Sequence, residues 1–209
     1  MDFVAARKMM VDSQVRVNDV TDRALQAALL AVPRERFCAP DRAFSAYIEA
    51  ECEIAGGRVL MLPREVAKLL SAIEARPGEK ALAIAAPYAG AVLARLGAKV
   101  TAQEADQAVL DVVAPALADA GVETAVAPFD QPQGEGYDII ISEGAVAVRP
   151  QAWLEALAVG GRLAIVERAG ASGRGVLYVR GRDGYSRRDL FDAAPPLLAG
   201  MTPEPAFSF

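Results

Sequence analysis

The sequence predicts an α/β protein with a doubly wound, mostly parallel sheet, because strand-like and helix-like segments alternate from about residue 63 onward. Runs such as Asp138-Ile139-Ile140-Ile141 lack polar alternation, which is typical of strands covered by helices on both faces. Hydrophobic residues make up 53% and charged residues 23% of the 209 residues, which is the composition of a folded domain. Two strand-like segments near the end, 176–180 and 186–190, predict a closing antiparallel hairpin.

Two parts of different character are predicted: a helical extension at 1–62 that packs on the core, and an α/β domain at 63–209. In the extension, Asp22 is a helix cap followed by an apolar face that includes Leu25 and Leu29, and Pro33 stops this helix. Pro63 suits the first turn of the helix that opens the second part.

Strands and helices then follow in turn along the second part. Strands are predicted at 80–85, 99–103, 123–127, 137–142 and 162–167. Helices are predicted up to Leu96, after Glu104, and around Trp153 to Leu157. Pro115 is expected to kink or divide the second of these helices, because proline removes a helical hydrogen bond.

Composition excludes several classes of function. The chain has no histidine, which excludes Ser-His-Asp and Cys-His catalysis and histidine-ligated metals, and no metal site is predicted. The net charge is −5, so the chain lacks the excess of positive charge expected of a protein that binds nucleic acids or anionic membranes. Cys38 and Cys52 could form one disulfide, but reduced buried thiols are expected because no export signal opens the sequence. The expected location is the cytoplasm.

A ligand of such a sheet binds beyond the carboxyl ends of the strands, where the strand order reverses. Glu104 ends the second predicted strand, where an acid can accept hydrogen bonds from ribose hydroxyls; alternatively it is only an acid at a helix start. The loop after the first strand has one late glycine, Gly90, so it is not a phosphate-binding fingerprint.

Six short motifs, found in the same order as in a known protein family, are spread along nearly the whole chain. They are MVDSQVR at 10–16, VPRERF at 32–37, VLARLGA at 92–98, YDIIISEGA at 137–145, LAVGGRL at 157–163 and LFDAAPPLL at 190–198. With these motifs the chain resembles the protein-L-isoaspartate O-methyltransferase family of S-adenosylmethionine-dependent methyltransferases, and its ending resembles a bacterial branch.

The resemblance implies a Rossmann-like methyltransferase fold, S-adenosylmethionine as the cofactor, and an isoaspartyl carboxylate of a protein or peptide as the substrate. It implies five cofactor-side residues: Ala85, Ala86, Tyr88, Gly90 and Glu104. It implies three substrate-side residues: Met61, Leu62 and Glu143. Glu143 is alternatively a solvated loop acid, Tyr88 alternatively fills the volume of the cofactor, and no residue is assigned as catalytic.

The chain departs from the family's pattern where the cofactor binds. The family has an acid and then several glycines after the first strand, whereas this chain has Ala83 for the acid and Ala85 for the first glycine. An alanine Cβ at a glycine position obstructs the ligand, and at positive φ it costs about 1–2 kcal/mol. The family also has a serine-containing stretch before Pro63, where this chain has VLML at 59–62.

Two hypotheses follow from these departures. The first is a non-catalytic pseudoenzyme that has lost or weakened cofactor binding, uses no cofactor, and binds or scaffolds an unidentified protein partner. The alternative is an active protein carboxyl methyltransferase acting on isoaspartyl residues. The apolar N-terminal helices could also serve self-association into a homo-oligomer.

Overall fold

The computed structural model describes residues 1–203, so the end of the predicted α/β domain, 204–209, lies outside the described residues. The helices are α1 (Phe3–Met10), α2 (Arg23–Ala31), α3 (Pro63–Ile73), α4 (Pro87–Arg95), α5 (Gln107–Asp119) and α6 (Gln151–Ala156). A π-helical turn at Val11–Val15 and 3₁₀ turns at Arg16–Asn18, Arg34–Phe37 and Ala43–Ser45 join the N-terminal elements. Over residues 1–203, none of the helices combines the length and the apolar character that crossing a membrane requires.

The strands form a small hairpin and one large sheet. They are β1 (Cys52–Ala55), β2 (Arg58–Leu60), β3 (Lys80–Ile84), β4 (Lys99–Glu104), β5 (Glu123–Val126), β6 (Tyr137–Val146), β7 (Leu157–Glu167), β8 (Gly173–Arg180) and β9 (Tyr185–Ala193). The large sheet has the order β5-β4-β3-β6-β7-β8-β9. Its first five strands in this order, from β5 across to β7, are parallel to one another. The β7–β8 and β8–β9 pairs are antiparallel. The predicted doubly wound sheet with a closing hairpin is confirmed.

Both faces of the sheet are buried, which explains why its strands lack polar alternation. Ala81 and Ala83 of β3 belong to a core shared with α3, α4, α5 and the N-terminal helices. Leu82 and Ile84 of the same strand belong to a second core on the other face, together with Trp153 of α6. Successive side chains of a strand point to opposite faces, so one apolar run supplies both cores.

The hairpin formed by β1 and β2 corrects the expectation of a mainly helical extension. Cys52 and Ile54 are buried while Glu53 is exposed, which is the period-two pattern of a strand. The turn residues Gly56 and Gly57 have φ values of 57° and 80°, which suits a two-residue hairpin turn. This hairpin places Arg58 at the start of β2.

Two helix boundaries also differ from the expectation. Pro115 lies inside α5 and does not divide it, because the buried Val113 and Leu117 hold the helix to the core on both sides of the proline. Leu157 is not helical: α6 ends at Ala156, and Leu157 is extended and pairs with Tyr137.

Trp153 → Phe should lower the free energy of unfolding by about 2–4 kcal/mol, because it leaves a buried carbonyl unpaired and removes packed volume. Trp153 is fully buried, and its Nε1–H donates to the carbonyl of Phe129 at 2.6 Å. Urea unfolding followed by circular dichroism measures the change. Val159 → Ala is the control, since Val159 is 64% exposed and its truncation should cost at most about 0.5 kcal/mol. Equal midpoints for the two variants would contradict the assignment.

Candidate functional site

The candidate site lies where the strand order of the sheet reverses. The neighbours of β3 are β4, which follows it in the chain, and β6, which lies on its other side. The carboxyl ends of β3 and β4 bring Ala85 and Glu104 to the same side of the sheet as Glu143, which lies within β6 just past the last residue paired with β3. Ligands of open α/β sheets bind beyond the carboxyl ends of the strands, so Glu104 lies where a ligand of this type of sheet is expected.

Arg58 joins these three residues. Its Nη2–H donates to Oε1 of Glu104 at 3.1 Å and to the carbonyl of Ala85 at 2.5 Å, and its Nε–H donates to Oε2 of Glu104 at 3.4 Å. Its Nη1–H donates to the carbonyl of Glu143 at 3.4 Å. The guanidinium also lies 5.9 Å from the centroid of the Phe129 ring. One cation from the β1–β2 hairpin therefore occupies the point at which the strand ends meet.

Glu104 is almost fully buried, with 1% of its surface exposed. Burial raises the pKa of this carboxyl above its ordinary value, and the charge and hydrogen bonds of Arg58 lower it in opposition. Only 15% of the Arg58 side chain is exposed, so both ions of the pair are largely removed from water. Removing one partner of such a pair leaves an uncompensated buried charge.

Glu143 lies within β6 and is fully buried, so the alternative of a solvated loop acid is wrong. Its Oε1 accepts a hydrogen bond from the backbone N–H of Ala89 at 2.8 Å, in the first turn of α4. A carboxylate is favoured there by the helix dipole. Its Oε2 has no hydrogen-bond partner within residues 1–203. Burial is the largest cause of the raised pKa of Glu143, and Arg34, the Ala89 N–H and Arg58 oppose it.

The loop after β3 has an alanine, Ala85, in a backbone conformation that usually requires glycine. Ala85 has a φ of 53°, in the left-handed region, and its side chain is fully buried. Ala86 is the buried residue that precedes α4. Gly90 is needed for packing, since a Cβ at this position would lie 3.0 Å from the Cβ of Ala83.

Tyr88 packs against the N-terminal elements. Its ring meets the Phe37 ring edge-on at 5.7 Å, and the Arg34 guanidinium carbon lies 4.8 Å from its centroid. Its hydroxyl is buried without a partner in the described part of the chain, and burial raises its pKa. The side chain that contacts Glu104 is Arg58.

The substrate-side candidates divide between two places. Met61 and Glu143 line one cavity of about 190 Å³, together with Arg58 and the C-terminal residues Leu197 and Leu198. Leu62 lines a different, neighbouring cleft. Typical small-molecule sites measure about 300–1,000 Å³, so the cavity beside Arg58 is too small for a nucleoside-sized ligand.

Sequence reasoning missed Arg58, the residue with the most contacts to the strand ends. A signal existed for the turn that carries it, because Gly56-Gly57 between two apolar segments is a hairpin signature. No local pattern predicts that the Arg58 side chain is buried against the strand ends, because its hydrogen-bond acceptors Ala85, Glu104 and Glu143 lie 27, 46 and 85 residues away in the sequence.

Comparison with known proteins identifies the family. The model of the family described as Protein-L-isoaspartate(D-aspartate) O-methyltransferase matches residues 5–187. The chain belongs to this family. A protein-L-isoaspartate O-methyltransferase of Methylorubrum populi is 33% identical over 207 residues, covering 94% of this chain and 97% of that protein. Another, from Methylorubrum extorquens, is 33% identical and covers 96% of this chain and 91% of that protein.

Solved structures share the fold of this family member. A Plasmodium falciparum structure described as a protein-L-isoaspartate O-methyltransferase in complex with S-adenosyl-L-homocysteine aligns with a TM-score of 0.77 and 15% identity, over 92% of this chain and 97% of that one. A second protein-L-isoaspartate O-methyltransferase aligns with a TM-score of 0.79 and 17% identity, over 94% of this chain and 67% of that one. The Rossmann-like methyltransferase fold is confirmed.

The family depends on S-adenosylmethionine, and the described site fits this cofactor only at Glu104. Glu104 is an acid at the strand end, where ribose hydroxyls are bound in this type of fold. Against it, the guanidinium of Arg58 occupies both carboxylate oxygens, and the Ala85 carbonyl is turned to the same cation. In this arrangement the residues do not fit the cofactor.

Glu143 → Gln should change how stability depends on pH. The folded-state pKa of Glu143 is raised, so the contribution of this residue to the free energy of unfolding is largest below the ordinary pKa of 4.5 and is lost as the pH rises from there through the raised value. Glutamine keeps an acceptor for the Ala89 N–H and cannot ionise. The variant should therefore gain stability relative to the wild type as the pH rises, in urea unfolding at pH 5 and pH 8. Glu155 → Gln is the control, because Glu155 is exposed. For this control, the difference in free energy of unfolding between variant and wild type should be the same at pH 5 and pH 8. The same result for Glu143 → Gln would contradict the prediction.

Proposed function

We propose that the chain is an S-adenosylmethionine-dependent protein carboxyl methyltransferase that acts on isoaspartyl residues and admits its cofactor only when Arg58 leaves Glu104. The observation that carries the proposal is the buried acid Glu104 at the carboxyl end of β4, where the strand order reverses. The two Methylorubrum relatives are similar to this chain over nearly its whole length, and both are named protein-L-isoaspartate O-methyltransferase, which supports the same activity.

The chemistry of this reaction is compatible with a chain without histidine. A substrate carboxylate is ionised at neutral pH and needs no general base, so the protein's contribution is positioning and the exclusion of water. Arg58 lines the cavity that also contains Met61 and Glu143. Once released from Glu104, its guanidinium is available to bind a carboxylate there with a charge-assisted hydrogen bond.

Release of Arg58 requires a small movement. The residue follows directly on the Gly56-Gly57 turn, which is exposed, and belongs to a three-residue strand. An arginine side chain has several rotatable bonds, so its head group can leave Glu104 without a change in the large sheet. The energetic cost is the buried ion pair, which a bound ligand must replace with its own hydrogen bonds to Glu104.

A second candidate function is favoured by the same contact and by the loop after β3. If Arg58 never leaves Glu104, the ion pair is a permanent structural replacement for the ligand. Ala85 keeps a Cβ at positive φ, and Ala83 provides no carboxylate. The chain would then be a non-catalytic member of its family that binds a protein partner. A cytoplasmic location, self-association and the roles of Met61 and Leu62 stay predictions under both functions.

Arg58 → Ala should strengthen cofactor binding if the ion pair closes the site. A hydrogen bond to a charged group contributes about 1.5–3 kcal/mol, so removing the competing cation should tighten binding by about 10- to 100-fold. Isothermal titration with S-adenosylmethionine and S-adenosylhomocysteine measures this, beside Ala85 → Gly, which removes the Cβ from the loop. Glu104 → Gln should abolish binding in every background. Arg36 → Ala is the matched control, because it removes an arginine from an exposed ion pair with Asp119.

The titration separates the two candidate functions. Binding in the wild type or in Arg58 → Ala that is lost in Glu104 → Gln supports the methyltransferase. Absence of heat at millimolar ligand in the wild type, Arg58 → Ala and Ala85 → Gly overturns it and leaves the non-catalytic function. Circular dichroism of each variant shows whether the chain has stayed folded.

Methyl transfer to a peptide with one isoaspartyl residue should be detectable and should fall to background in Glu104 → Gln. Radiolabelled S-adenosylmethionine provides the readout, and the matched peptide with an ordinary aspartyl residue is the control. Equal labelling of the two peptides would contradict the substrate class. Cofactor binding without labelling of either peptide would contradict the activity.

A further inference from the structure

A second cleft lies beyond the carboxyl ends of β6 and β7, apart from the cavity beside Arg58. Its volume is about 480 Å³, within the range of about 300–1,000 Å³ that is typical of ligand sites. The charged residues that line it, and that define the arginine cleft, are Arg149, Arg168, Arg174, Arg187, Glu167 and Asp192. This excess of cations over acids is the reverse of the whole chain, whose net charge is −5.

Two of these arginines are paired with the acids of the cleft. Arg174 pairs with Asp192 at 2.8 Å, and Arg187 pairs with Glu167 at 2.7 Å. Asp189 of β9, which lies outside the cleft, also pairs with both arginines. The positive charge left over in the cleft therefore belongs to its other two arginines.

Arg168 is held in place by the backbone and not by an acid. Its Nε–H donates to the carbonyl of Gly170 at 2.9 Å, and its Nη1 donates to the carbonyls of Ala194 at 3.2 Å and Pro195 at 2.7 Å. Within residues 1–203 it forms no ion pair with a carboxylate, and its Nη2 has no acceptor. Carbonyl oxygens orient the planar guanidinium without neutralising it, so Arg168 presents a fixed positive charge to the cleft.

Arg149 is held in place by aromatic rings. Its guanidinium carbon lies 5.7 Å from the centroid of the Tyr178 ring and 5.8 Å from that of the Tyr185 ring. The residue is exposed, and the described part of the chain gives it no ion pair with a carboxylate. Contact with a ring orients a guanidinium and leaves its charge in place. Two oriented guanidiniums with unused N–H donors therefore line one cleft, and a carboxylate is the protein side chain that such donors bind best.

The arginine cleft is connected to the cavity beside Arg58. It shares Ser172 and Gly173 with the cleft that Leu62 lines, which is the Leu62 cleft from here on. The Leu62 cleft in turn shares Pro195 with the cavity beside Arg58. A groove made of three adjoining cavities suits an extended polypeptide better than a single small molecule.

The middle of this groove has the opposite charge. Glu51 and Glu65 line the Leu62 cleft, and Arg64, which lines it too, is paired with Glu49. An acidic side chain of a bound polypeptide is therefore repelled in the middle of the groove and attracted at the arginine cleft. Charge thus distinguishes one position of the bound polypeptide from its neighbours.

We propose that the arginine cleft binds an acidic side chain of the polypeptide substrate, separated along the chain from the isoaspartyl residue. The proposal rests on the proposed function for the place of the isoaspartyl residue, which is the cavity beside Arg58. The attraction between the arginine cleft and a glutamate or aspartate does not depend on methyl transfer. The chain therefore selects protein substrates in which an acidic residue lies in the same extended segment as the isoaspartyl residue.

Binding of labelled peptides to the full chain, followed by fluorescence anisotropy, tests the proposal. Each peptide contains one isoaspartyl residue and a single glutamate whose position changes from peptide to peptide, and a glutamine replaces it in the reference peptide. A glutamate distant from the isoaspartyl residue should tighten binding by about 3- to 10-fold, whereas a glutamate next to it should not. The gain should shrink as the salt concentration rises. Equal affinity for all peptides, or the same gain at every position, would overturn the proposal.

Arg149 → Glu tests whether the cleft itself provides the preference. This variant should lose the preference for the distant glutamate, because one of the two uncompensated cations is replaced by an acid. Arg149 is exposed, so the fold should be retained, which circular dichroism checks. Arg188 → Glu is the matched control, since Arg188 is an exposed arginine of β9 that does not line the cleft. A preference that persists in Arg149 → Glu, or that is lost equally in Arg188 → Glu, contradicts the assignment.

Inorganic phosphate distinguishes a polypeptide site from a site for small anions. At constant ionic strength, millimolar phosphate should leave the glutamate peptide bound, because the peptide also occupies the rest of the groove. Displacement of the peptide by phosphate at this concentration would show a site for small anions and overturn the proposal.

Methyl transfer separates failure of this inference from failure of the proposed function. With radiolabelled S-adenosylmethionine, the distant glutamate should lower KM and leave kcat unchanged, and Arg149 → Glu should remove the difference. Labelling of all peptides with one KM would retain the methyltransferase and overturn the inference. If no peptide is labelled, the proposed function fails, and the anisotropy still decides whether the arginine cleft binds an acidic side chain.

Discussion

The buried ion pair between Arg58 and Glu104 is the interaction on which the rest of the site depends. The parallel sheet brings the end of β4 to the crevice at which ligands of this fold bind, and a carboxylate at that depth is costly unless a cation or hydrogen-bond donors meet it. Arg58 meets this requirement with two nitrogens on the two carboxylate oxygens. The β1–β2 hairpin thus supplies the cation that compensates the charge at the end of β4.

The same requirement extends to the second buried acid. Burial is the largest cause of the raised pKa of Glu143, the charge of Glu104 is the smallest of the causes, and the charges of Arg34 and Arg58 oppose them. Arg58 and Glu104 therefore compensate each other's charge without any ligand. A ligand that uses Glu104 has to exchange one partner of this pair for another. Under the proposed function, release of the Arg58 side chain from Glu104 is therefore the step that opens the site.

Most of the fold could be predicted from the sequence because its signals are local. Uninterrupted apolar runs give the central strands, and Pro63 gives the start of α3. The hairpin at β1 and β2, the continuity of α5 through Pro115 and the early end of α6 depend on packing, which local patterns do not report. The same distinction holds for the site. The position of Glu104 at the end of a strand was predictable from the sequence, whereas its contact with Arg58 was not, because the two residues are 46 positions apart.

Membership of the family and activity within it depend on different residues. The identity of 33% to the Methylorubrum populi relative is an average over 207 residues. Under the proposed function, cofactor binding depends on a few atoms at the strand ends, where Arg58 contacts both Ala85 and Glu104. Such a small set adds almost nothing to an overall identity. The free energy of separating Arg58 from Glu104, set against the hydrogen bonds that a ligand makes in its place, is therefore the quantity that decides the function of this chain.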